Sequence, residues 1–359
     1  MPNVLVTGGA GFIGSNFVRY LLQNEPNLRL VNLDALTYAG SLENLKDLPN
    51  PERHTFVQGD ICDRRLVDDL LRRHQIAIIA HFAAETNVDR SIVNAEPFVR
   101  TNVFGTFTLL EAARQFWLAE KAFPLGDVRF HHVSSDEVFG SLSPSAAAFT
   151  ETTPYATNSP YAATKAAGDH LVRAYGHTYG LPYTITNCSN NYGPSQFPEK
   201  LIPLMITHAL TGKPLPVYGD GGQIRDWLYV EDHCEAIWTV IRRGKPGETY
   251  IIGGNNQPAN LAVIETLCEI LDDCQPQSPF APHASLIQFV TDRPGHDRRY
   301  AMDITKIRRE LGWQPRQSLA SGLLKTVEWY LTHAEWVEAI RRQGEYQQWL
   351  EKNYEKRGP

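Results

Sequence analysis

The N-terminal glycine-rich stretch places the strongest constraint on the fold. A β-branched run, Asn3–Thr7, leads directly into Gly8-Gly-Ala-Gly11-Phe-Ile-Gly14, and apolar residues then recur at helical spacing. This order of strand, glycine turn and helix is the context of a dinucleotide-binding fingerprint, here in the spacing G-x-x-G-x-x-G. Glycines let the backbone approach a pyrophosphate, which binds the unpaired N–H groups of the helix N-terminus. The stretch predicts such a site, with an unliganded glycine turn as the alternative.

Acidic residues follow the next two predicted strands. The strand Leu28–Leu33 ends at Asp34, about twenty residues after the last glycine. A carboxylate there accepts hydrogen bonds from the adenosine ribose and repels a 2′-phosphate, which favours NAD over NADP. An ordinary strand-end aspartate is the alternative. After the strand Thr55–Gln58, Asp60 either meets the adenine amino group or is a solvated carboxylate.

Strands alternate with helices as far as the strand Leu181–Thr186, which predicts an α/β fold with a Rossmann-type, doubly wound parallel sheet. The strand Ile76–Phe82 ends in Ala83 and Ala84, small residues that let a flat cofactor lie against the backbone. After Pro194 the sequence becomes irregular and rich in Pro and Gly. We expect a smaller, discontinuous substrate-binding domain at about 192–227, 254–304 and 331–359. The NAD-binding domain then takes 1–191, about 228–253 and 305–330.

A second group of residues predicts chemistry. The strand Val128–Val133 runs into Ser134-Ser135-Asp136-Glu137, and Tyr161 and Lys165 are spaced to share one helix face. The ammonium should favour the phenolate and lower the pKa of Tyr161 from about 10 toward neutrality. Such a phenol can take a proton from an alcohol while hydride leaves the same carbon. Because Tyr-x-x-x-Lys also arises on ordinary helices, this prediction depends on the nicotinamide site.

Composition narrows the class of partner. The 359 residues are 42% hydrophobic and carry a net charge of −6, which argues against nucleic acid as a partner. Five cysteines without C-x-x-C spacing favour reduced cytoplasmic thiols, and we predict no metal site. Without a signal-peptide pattern or a membrane-length apolar run, we expect a cytoplasmic protein without membrane contact. The predicted helices Pro97–Phe116 and Tyr161–Tyr179 form either a helical homodimer interface or core packing.

Longer motifs carry a family resemblance. The sequence resembles the extended short-chain dehydrogenase/reductases in four features: TGGAGFIG, Asp34, the Ser-Asp-Glu strand end and YAATK. Within that superfamily, the sequence is similar to the dTDP-glucose 4,6-dehydratase family over almost the whole chain. The motifs that carry this similarity are SSDEVFG, CSNNYGP, FPEKLIP, IRDWLYVEDH and DRPGHDRRYAMD. The resemblance implies that Tyr161 takes the 4-hydroxyl proton of the hexose, Glu137 acts as base at C5, and Asp136 protonates the leaving 6-hydroxyl. It further implies that Lys165 holds the nicotinamide ribose and Ser135 binds the 4-oxygen.

The resemblance also implies the wider set of contacts. The cofactor site comprises Gly8, Gly11, Phe12, Ile13, Gly14, Asp34, Leu36, Thr37, Asp60, Ile61, Phe82, Ala83, Ala84, Thr86, Thr101, Tyr161, Lys165 and Asn191. The substrate site comprises Thr86, Ser135, Asp136, Glu137, Asn190, Glu199, Lys200, Leu201, Pro216, Tyr218, Arg225, Asn260, Arg293, His296 and Tyr300. Among these, Arg225 and Arg293 are the cationic forks for the diphosphate, assisted by Lys200 and His296.

Four positions depart from the family pattern, and three alternative functions stay open. Ser135 replaces Thr, Thr86 replaces Ser, Asn87 replaces His and Phe139 replaces Tyr. The first two exchange one methyl in opposite directions, so the pocket volume should be roughly conserved. The alternative enzymes are a nucleotide-sugar 4-epimerase, which needs no acid–base pair at C5 and C6, and a UDP-sugar 4,6-dehydratase. The alternative from another class is a non-catalytic NAD-binding regulator.

Overall fold

The central element is a sheet of seven parallel strands. The computed structural model describes residues 3–292 and 297–342. Their strands are β1 (Asn3–Thr7), β2 (Leu30–Asp34), β3 (His54–Gln58), β4 (Ile76–His81), β5 (Arg129–Ser135), β6 (Tyr183–Cys188), β7 (Asn190–Tyr192), β8 (Leu215–Tyr218), β9 (Trp227–Tyr229), β10 (Glu248–Ile252) and β11 (Ile287–Val290). The sheet order is β3-β2-β1-β4-β5-β6-β10, so the direction of winding reverses between β1 and β4. Open α/β sheets bind ligands at such a switch point.

Twelve α-helices surround the strands in the described part of the chain. They are α1 (Phe12–Asn24), α2 (Arg64–Arg73), α3 (Val88–Val93), α4 (Glu96–Phe98), α5 (Thr106–Ala113), α6 (Pro160–Tyr179), α7 (Leu201–Ala209), α8 (Val230–Arg243), α9 (Asn260–Cys274), α10 (Thr305–Leu311), α11 (Leu319–Thr332) and α12 (Ala334–Arg341). Two segments with π-type hydrogen bonding, Val99–Gly105 and Arg114–Ala119, flank α5. The predicted helix Pro97–Phe116 is therefore part of a longer helical stretch.

Both faces of the sheet are covered, which explains why β1 and β4 read as nearly continuous apolar runs. On one face, Phe17 and Leu21 of α1 pack with Ile237 of α8 in a common core cluster. On the other, Leu70 of α2 and Leu109 of α5 belong to a second cluster. The α/β, doubly wound parallel fold is thus confirmed. The expected strands were placed within about two residues of the observed ones.

A third apolar cluster lies outside the sheet. It contains residues of α7, α9, α11 and α12 together with the short parallel pairs β7–β9 and β8–β11. This is the region predicted to bind the nucleotide sugar. Helix α11, grouped by the sequence with the NAD-binding domain, packs in this third cluster through Leu323 and Val327. The domain boundaries remain a prediction, and the end of the segment 331–359 falls outside the described residues.

Within residues 3–292 and 297–342, no helix has the length and apolar character needed to cross a membrane.

Candidate active site

A cleft of about 370 Å³ opens at the carboxyl ends of the central strands. It collects most of the residues predicted for the cofactor and the reacting sugar. The predicted residues that line it are Gly8, Gly11, Phe12, Ile13, Gly14, Asp34, Thr37, Asp60, Ile61, Phe82, Ala83, Ala84, Thr86, Thr101, Ser135, Asp136, Glu137, Tyr161, Lys165, Asn190, Asn191, Glu199 and Lys200. The sheet topology therefore brings distant motifs to one place.

The glycine turn has no room for side chains. Gly8 has φ +75°, and a Cβ atom there would lie 2.6 Å from the backbone nitrogen of Ala83. At Gly14 a Cβ atom would lie 2.2 Å from the carbonyl oxygen of Gly8. Helix α1 begins at Phe12 after Gly11, which provides no side-chain cap. The helix N-terminus thus faces the cleft without a capping side chain, as a bound pyrophosphate requires.

Asp34 is fixed by the backbone around it. One carboxylate oxygen accepts from the N–H of Ala10 and the other from the N–H of Leu36, each at 2.8 Å. Leu36 adopts a left-handed conformation with φ 53°. Burial raises the pKa of Asp34, and the two hydrogen bonds oppose that rise. Leu36 itself is absent from the cleft lining of the described residues, so its contribution is its backbone N–H.

Asp60, the other predicted adenosine contact, is also held in place. Its carboxylate accepts from the N–H of Cys62 at 2.8 Å and faces the exposed guanidinium of Arg100 at 3.4 Å. It lines the cleft together with Ile61 and Asp34.

Tyr161 and Lys165 share the buried face of α6, but their protonation differs from the prediction. The Lys165 ammonium donates to the carbonyl of Val133 at 2.8 Å. Burial raises the pKa of Tyr161 well above its ordinary value, and the charge of Glu137 adds to this rise. A hydrogen bond with Ser135 acts in the opposite direction. The expected net lowering of the Tyr161 pKa by Lys165 was therefore wrong for the protein alone, because burial and the charges of Glu137 and Asp136 all raise the pKa.

Asp136 is a buried acid at the end of β5. Its side chain is 3% exposed, and burial followed by the charge of Glu137 raises its pKa to about 8. The hydroxyl of Ser135 donates to Asp136 at 3.2 Å and accepts from the N–H of Glu137 at 3.2 Å. The other oxygen of Asp136 is buried without a hydrogen-bond partner among residues 3–292 and 297–342. The side chain is thus largely neutral at pH 7 and has a proton to give.

Arg225 and Tyr300 lie near this acid but outside the cleft lining of the described residues. The Arg225 guanidinium sits 4.4 Å from the ring centroid of Tyr300 and donates to the carbonyl of Asp297 at 2.8 Å. The charge of Arg225 lowers the pKa of Asp136, against the larger effects of burial and Glu137. Arg225 is only 6% exposed, so the predicted diphosphate fork is already engaged with protein groups.

Other predicted substrate contacts are spread over the second region. Leu201 begins α7, Pro216 and Tyr218 lie in β8, and Asn260 begins α9. None of the four lines the cleft, although Asn260 has a buried side-chain oxygen without a hydrogen-bond partner among the described residues. Arg293 and His296 lie outside the described residues.

Two of the four residues that depart from the family pattern, Asn87 and Phe139, contact neighbouring side chains. Asn87 donates to the carboxylate of Glu199 at 2.8 Å, and both side chains are buried. The ring of Phe139 stacks on Phe149 at 5.1 Å and meets the edge of Tyr155 at 5.3 Å. Phe139 therefore occupies an aromatic cluster in which a hydroxyl is not needed. Ser135 and Thr86 both line the cleft, as the volume argument required.

Sequence reasoning missed the polar residues behind the site. Asn102 bonds to both backbone groups of Glu85 and to the hydroxyl of Thr164, at 2.9–3.0 Å. Asp169 accepts from three side chains of the surrounding elements. The only sequence signal for Asp169 was the spacing, because it lies four residues after Lys165 on the same helix.

Among the residues described, no group of three His, Cys, Asp or Glu side chains is placed to hold a metal ion.

Comparison with known proteins gives a consistent family. A model described as GDP-mannose 4,6 dehydratase matches residues 5–326. The dTDP-glucose 4,6-dehydratase of Shigella flexneri is 53% identical over 362 residues, covering 99% of each chain. That of Neisseria gonorrhoeae is 57% identical over 331 residues, covering 92% of this chain and 95% of its own.

Solved structures agree with the sequence relatives. The Bacillus anthracis dTDP-glucose 4,6-dehydratase in complex with NAD has a TM-score of 0.84 and 44% identity, covering 95% of this chain and 100% of its own. DesIV, a dTDP-glucose 4,6-dehydratase from Streptomyces venezuelae with NAD and TYD bound, also has a TM-score of 0.84, with 46% identity over 94% of this chain and 99% of its own. A UDP-glucose 4-epimerase from Thermotoga maritima has a TM-score of 0.81 but 28% identity, over 92% of this chain and 99% of its own. On the near-full-length identity above 50%, and on the fold and cleft that accompany it, this chain belongs to the dTDP-glucose 4,6-dehydratase family.

Proposed function

We propose that this protein is an NAD-dependent dTDP-glucose 4,6-dehydratase that converts dTDP-glucose into dTDP-4-keto-6-deoxy-glucose and water. The observation that carries the proposal is the buried Asp136 beside Glu137, in the same cleft as Tyr161 and Lys165. An alcohol oxidation alone needs only the phenol and the ammonium. A carboxylic acid that keeps its proton at pH 7 is the additional group that water elimination needs.

The cleft fits NAD. Its glycine turn excludes side chains, its uncapped helix start suits a pyrophosphate, and Asp34 is placed for the adenosine ribose. NAD, when bound, would supply the hydride acceptor for C4 of the sugar and, once reduced, the hydride donor for C6. Lys165 is the residue that would hold the nicotinamide ribose.

The chain's own residues then divide the proton transfers. Tyr161, once its phenol has lost its proton, takes the proton of the 4-hydroxyl, and the Ser135 hydroxyl hydrogen-bonds the 4-oxygen. Oxidation at C4 acidifies the C5–H bond, so Glu137 can remove that proton. Asp136 gives its proton to the leaving 6-hydroxyl, and water departs. Glu137 returns the proton it took to C5 as a hydride is delivered to C6.

The nucleotide would lie toward the second region. Arg225 and Arg293 are proposed for the diphosphate, with Lys200 and His296 assisting. Because Arg225 is held by Asp297 and Tyr300, its fork would have to exchange a protein partner for a phosphate oxygen. The remaining proposed contacts line the nucleoside pocket, namely Asn190, Leu201, Pro216, Tyr218 and Asn260.

A substrate panel tests the proposal. The purified protein is incubated separately with dTDP-glucose, UDP-glucose and dTDP-galactose, and the products are read as the alkaline absorbance of a 4-keto sugar. We expect the signal with dTDP-glucose. Turnover of UDP-glucose in its place would favour a UDP-sugar 4,6-dehydratase. Interconversion of dTDP-glucose and dTDP-galactose without a keto product would show a 4-epimerase, and tight binding without turnover would show a regulator.

We further propose a cytoplasmic homodimer with a helical interface. Phe104 and Phe107, on the helical stretch around α5, are 49% and 40% exposed, and Tyr179 at the end of α6 is 49% exposed. The rings of Phe104 and Phe107 lie 5.9 Å apart, and large exposed apolar side chains so close together favour burial against a second subunit. All five cysteines are free thiols, which suits a reducing compartment.

The interface is tested by the double change Phe104→Ser and Phe107→Ser. We expect the wild-type chain to sediment as a dimer and the variant as a monomer. Phe289→Ser, which changes an exposed ring on β11 of the second region, is the matched control and should leave the dimer intact. A wild-type monomer would overturn this part of the proposal.

A further inference from the structure

Helix α6 carries more of the site than its Tyr-x-x-x-Lys motif. Tyr161, Lys165 and Asp169 follow one another at intervals of four residues, so they share one face of the helix. All three side chains are buried, and Asp169 is 0% exposed. A carboxyl group so deep in the protein requires partners that compensate its charge.

The partners that donate hydrogen bonds to Asp169 are neutral. One carboxylate oxygen accepts from Ser134 at 3.0 Å, Tyr155 at 2.6 Å and Asn187 at 3.3 Å. The other lies 3.3 Å from the Nε2 atom of His132. Burial lowers the pKa of His132, so its ring is uncharged at neutral pH. These groups orient the carboxylate. Of the two charges that lower the pKa of Asp169, the larger, that of His132, is lost when the ring is neutral, and that of Lys165 remains.

Lys165 has the complementary need. Its ammonium is buried and donates to a neutral backbone carbonyl, that of Val133. Burial lowers the pKa of Lys165, and the charge of Asp169 is the first effect that opposes this. Cys188, the other nearby acidic group, has a pKa of about 12 because it is buried, so it is neutral. Asp169 is therefore the anion that matches this cation.

We propose that Asp169 is a positioning residue for the oxidation at C4, in which its carboxylate, one helical turn from Lys165 on the same buried helix face, is the counter-ion that keeps the ammonium charged. The inference rests on the proposed function, because it assigns Lys165 a role that requires the charge. An uncharged lysine would neither favour the phenolate nor donate all of its hydrogen bonds. The titratable and charged groups that face this pair are His81 on β4, His132 on β5, Cys188 on β6, Tyr155 in the preceding loop, and Tyr161 and Arg173 on α6.

The test is Asp169→Asn. Asparagine has the same shape, its oxygen can accept from Ser134 and Tyr155, and its amide can donate to the neutral His132 ring. Formation of bound NADH after mixing with dTDP-glucose, followed at 340 nm in a single turnover, reports the C4 oxidation alone. Loss of a unit negative charge one helical turn from Lys165 should shift the alkaline limb of the pH profile, where the rate of NADH formation falls at high pH, to lower pH by about one to two units. A merely structural role would lower stability and leave the limb in place.

Tyr155→Phe is the matched control. It removes a 2.6 Å hydrogen bond from Asp169 but leaves the charge, so the limb should stay at the wild-type pH. If Asp169→Asn gives no folded protein, Tyr155→Phe still tests the proposal. Because that variant keeps the charge of Asp169, loss of the NADH step in it would overturn the counter-ion role. An unmoved limb in a folded Asp169→Asn would do the same. Failure of the wild-type protein to form NADH with dTDP-glucose would instead reject the proposed function.

Discussion

Replacing Asp136 with asparagine should stabilise the folded protein while removing the acid for water elimination. Burial and the charge of Glu137 raise the pKa of Asp136 from 3.8 to about 8. In the unfolded chain the carboxyl has its ordinary pKa of about 3.9. At pH 7 folding therefore forces the side chain to take up a proton, at a free-energy cost that asparagine avoids.

The sign of the pH dependence follows from the direction of the shift. Because the folded-state pKa is raised, the stabilising contribution of Asp136 is fully present below the unfolded-state pKa and is lost as the pH rises through the folded-state pKa. Each pH unit inside that window is about 1.36 kcal/mol. From pH 5 to pH 8, the free energy of unfolding of D136N should therefore gain roughly 3–4 kcal/mol relative to wild type. The second oxygen of Asp136 has no hydrogen-bond partner among the described residues. The free energy of unfolding of D136N should therefore also differ from that of wild type by about 1–3 kcal/mol, by the same amount at every pH.

Urea unfolding at pH 5, 6, 7 and 8, followed by tryptophan fluorescence, measures this difference. The matched control is Asp127→Asn, a change at an exposed carboxylate, which should give a flat line. In activity assays, D136N should still form NADH from dTDP-glucose, but the sugar should lose water roughly 10²–10⁴-fold more slowly than with wild type. A stability difference that stays constant across the pH range would mean that Asp136 is ionised in the folded protein. The acid role would then have no basis.

Two further changes test the other parts of the cleft. Tyr161→Phe should leave NAD bound but slow NADH formation by about 10²-fold or more, since the base for the 4-hydroxyl is gone; a normal single-turnover rate at 340 nm would contradict the assignment. Gly14→Ala should cause loss of bound NAD and a lower melting temperature, because its Cβ atom would lie 2.2 Å from the carbonyl oxygen of Gly8. Wild-type NAD content in that variant, measured by absorbance after denaturation, would show that the turn can relax.

The sheet and its cleft were predictable because their signals are local. A parallel strand buried on both faces must be apolar, and the residues after it must lie at the ligand-binding edge, so Asp34, Ser135 and Asp136 could be placed from their positions alone. The second region offered no such rule. Its helices come from separate stretches of chain, and the assignment of α11 to the third cluster depends on contacts with α9 that no sequence period reveals.

The protonation states were the least predictable feature, since they depend on depth. Spacing correctly placed Tyr161 and Lys165 on one helix face, but the sequence could not show that burial would outweigh charge at the phenol. Nor could it show that Asp169 gathers hydrogen bonds from β5, β6 and the loop before α6. Those contacts join residues far apart in the chain, and only the fold determines them.

The acid Asp136 and the phenol of Tyr161 are coupled in the proposed reaction, because the proton on Asp136 affects both. Glu137 and Asp136 both raise the pKa of Tyr161, with Glu137 the larger of the two. Were Asp136 ionised at pH 7, a second anion would face the phenol and make the phenolate still harder to form. The burial that keeps Asp136 protonated therefore supplies the acid for C6 and also spares Tyr161 a second negative charge. The fold thus limits the negative charge beside the phenol that must become an anion to that of Glu137.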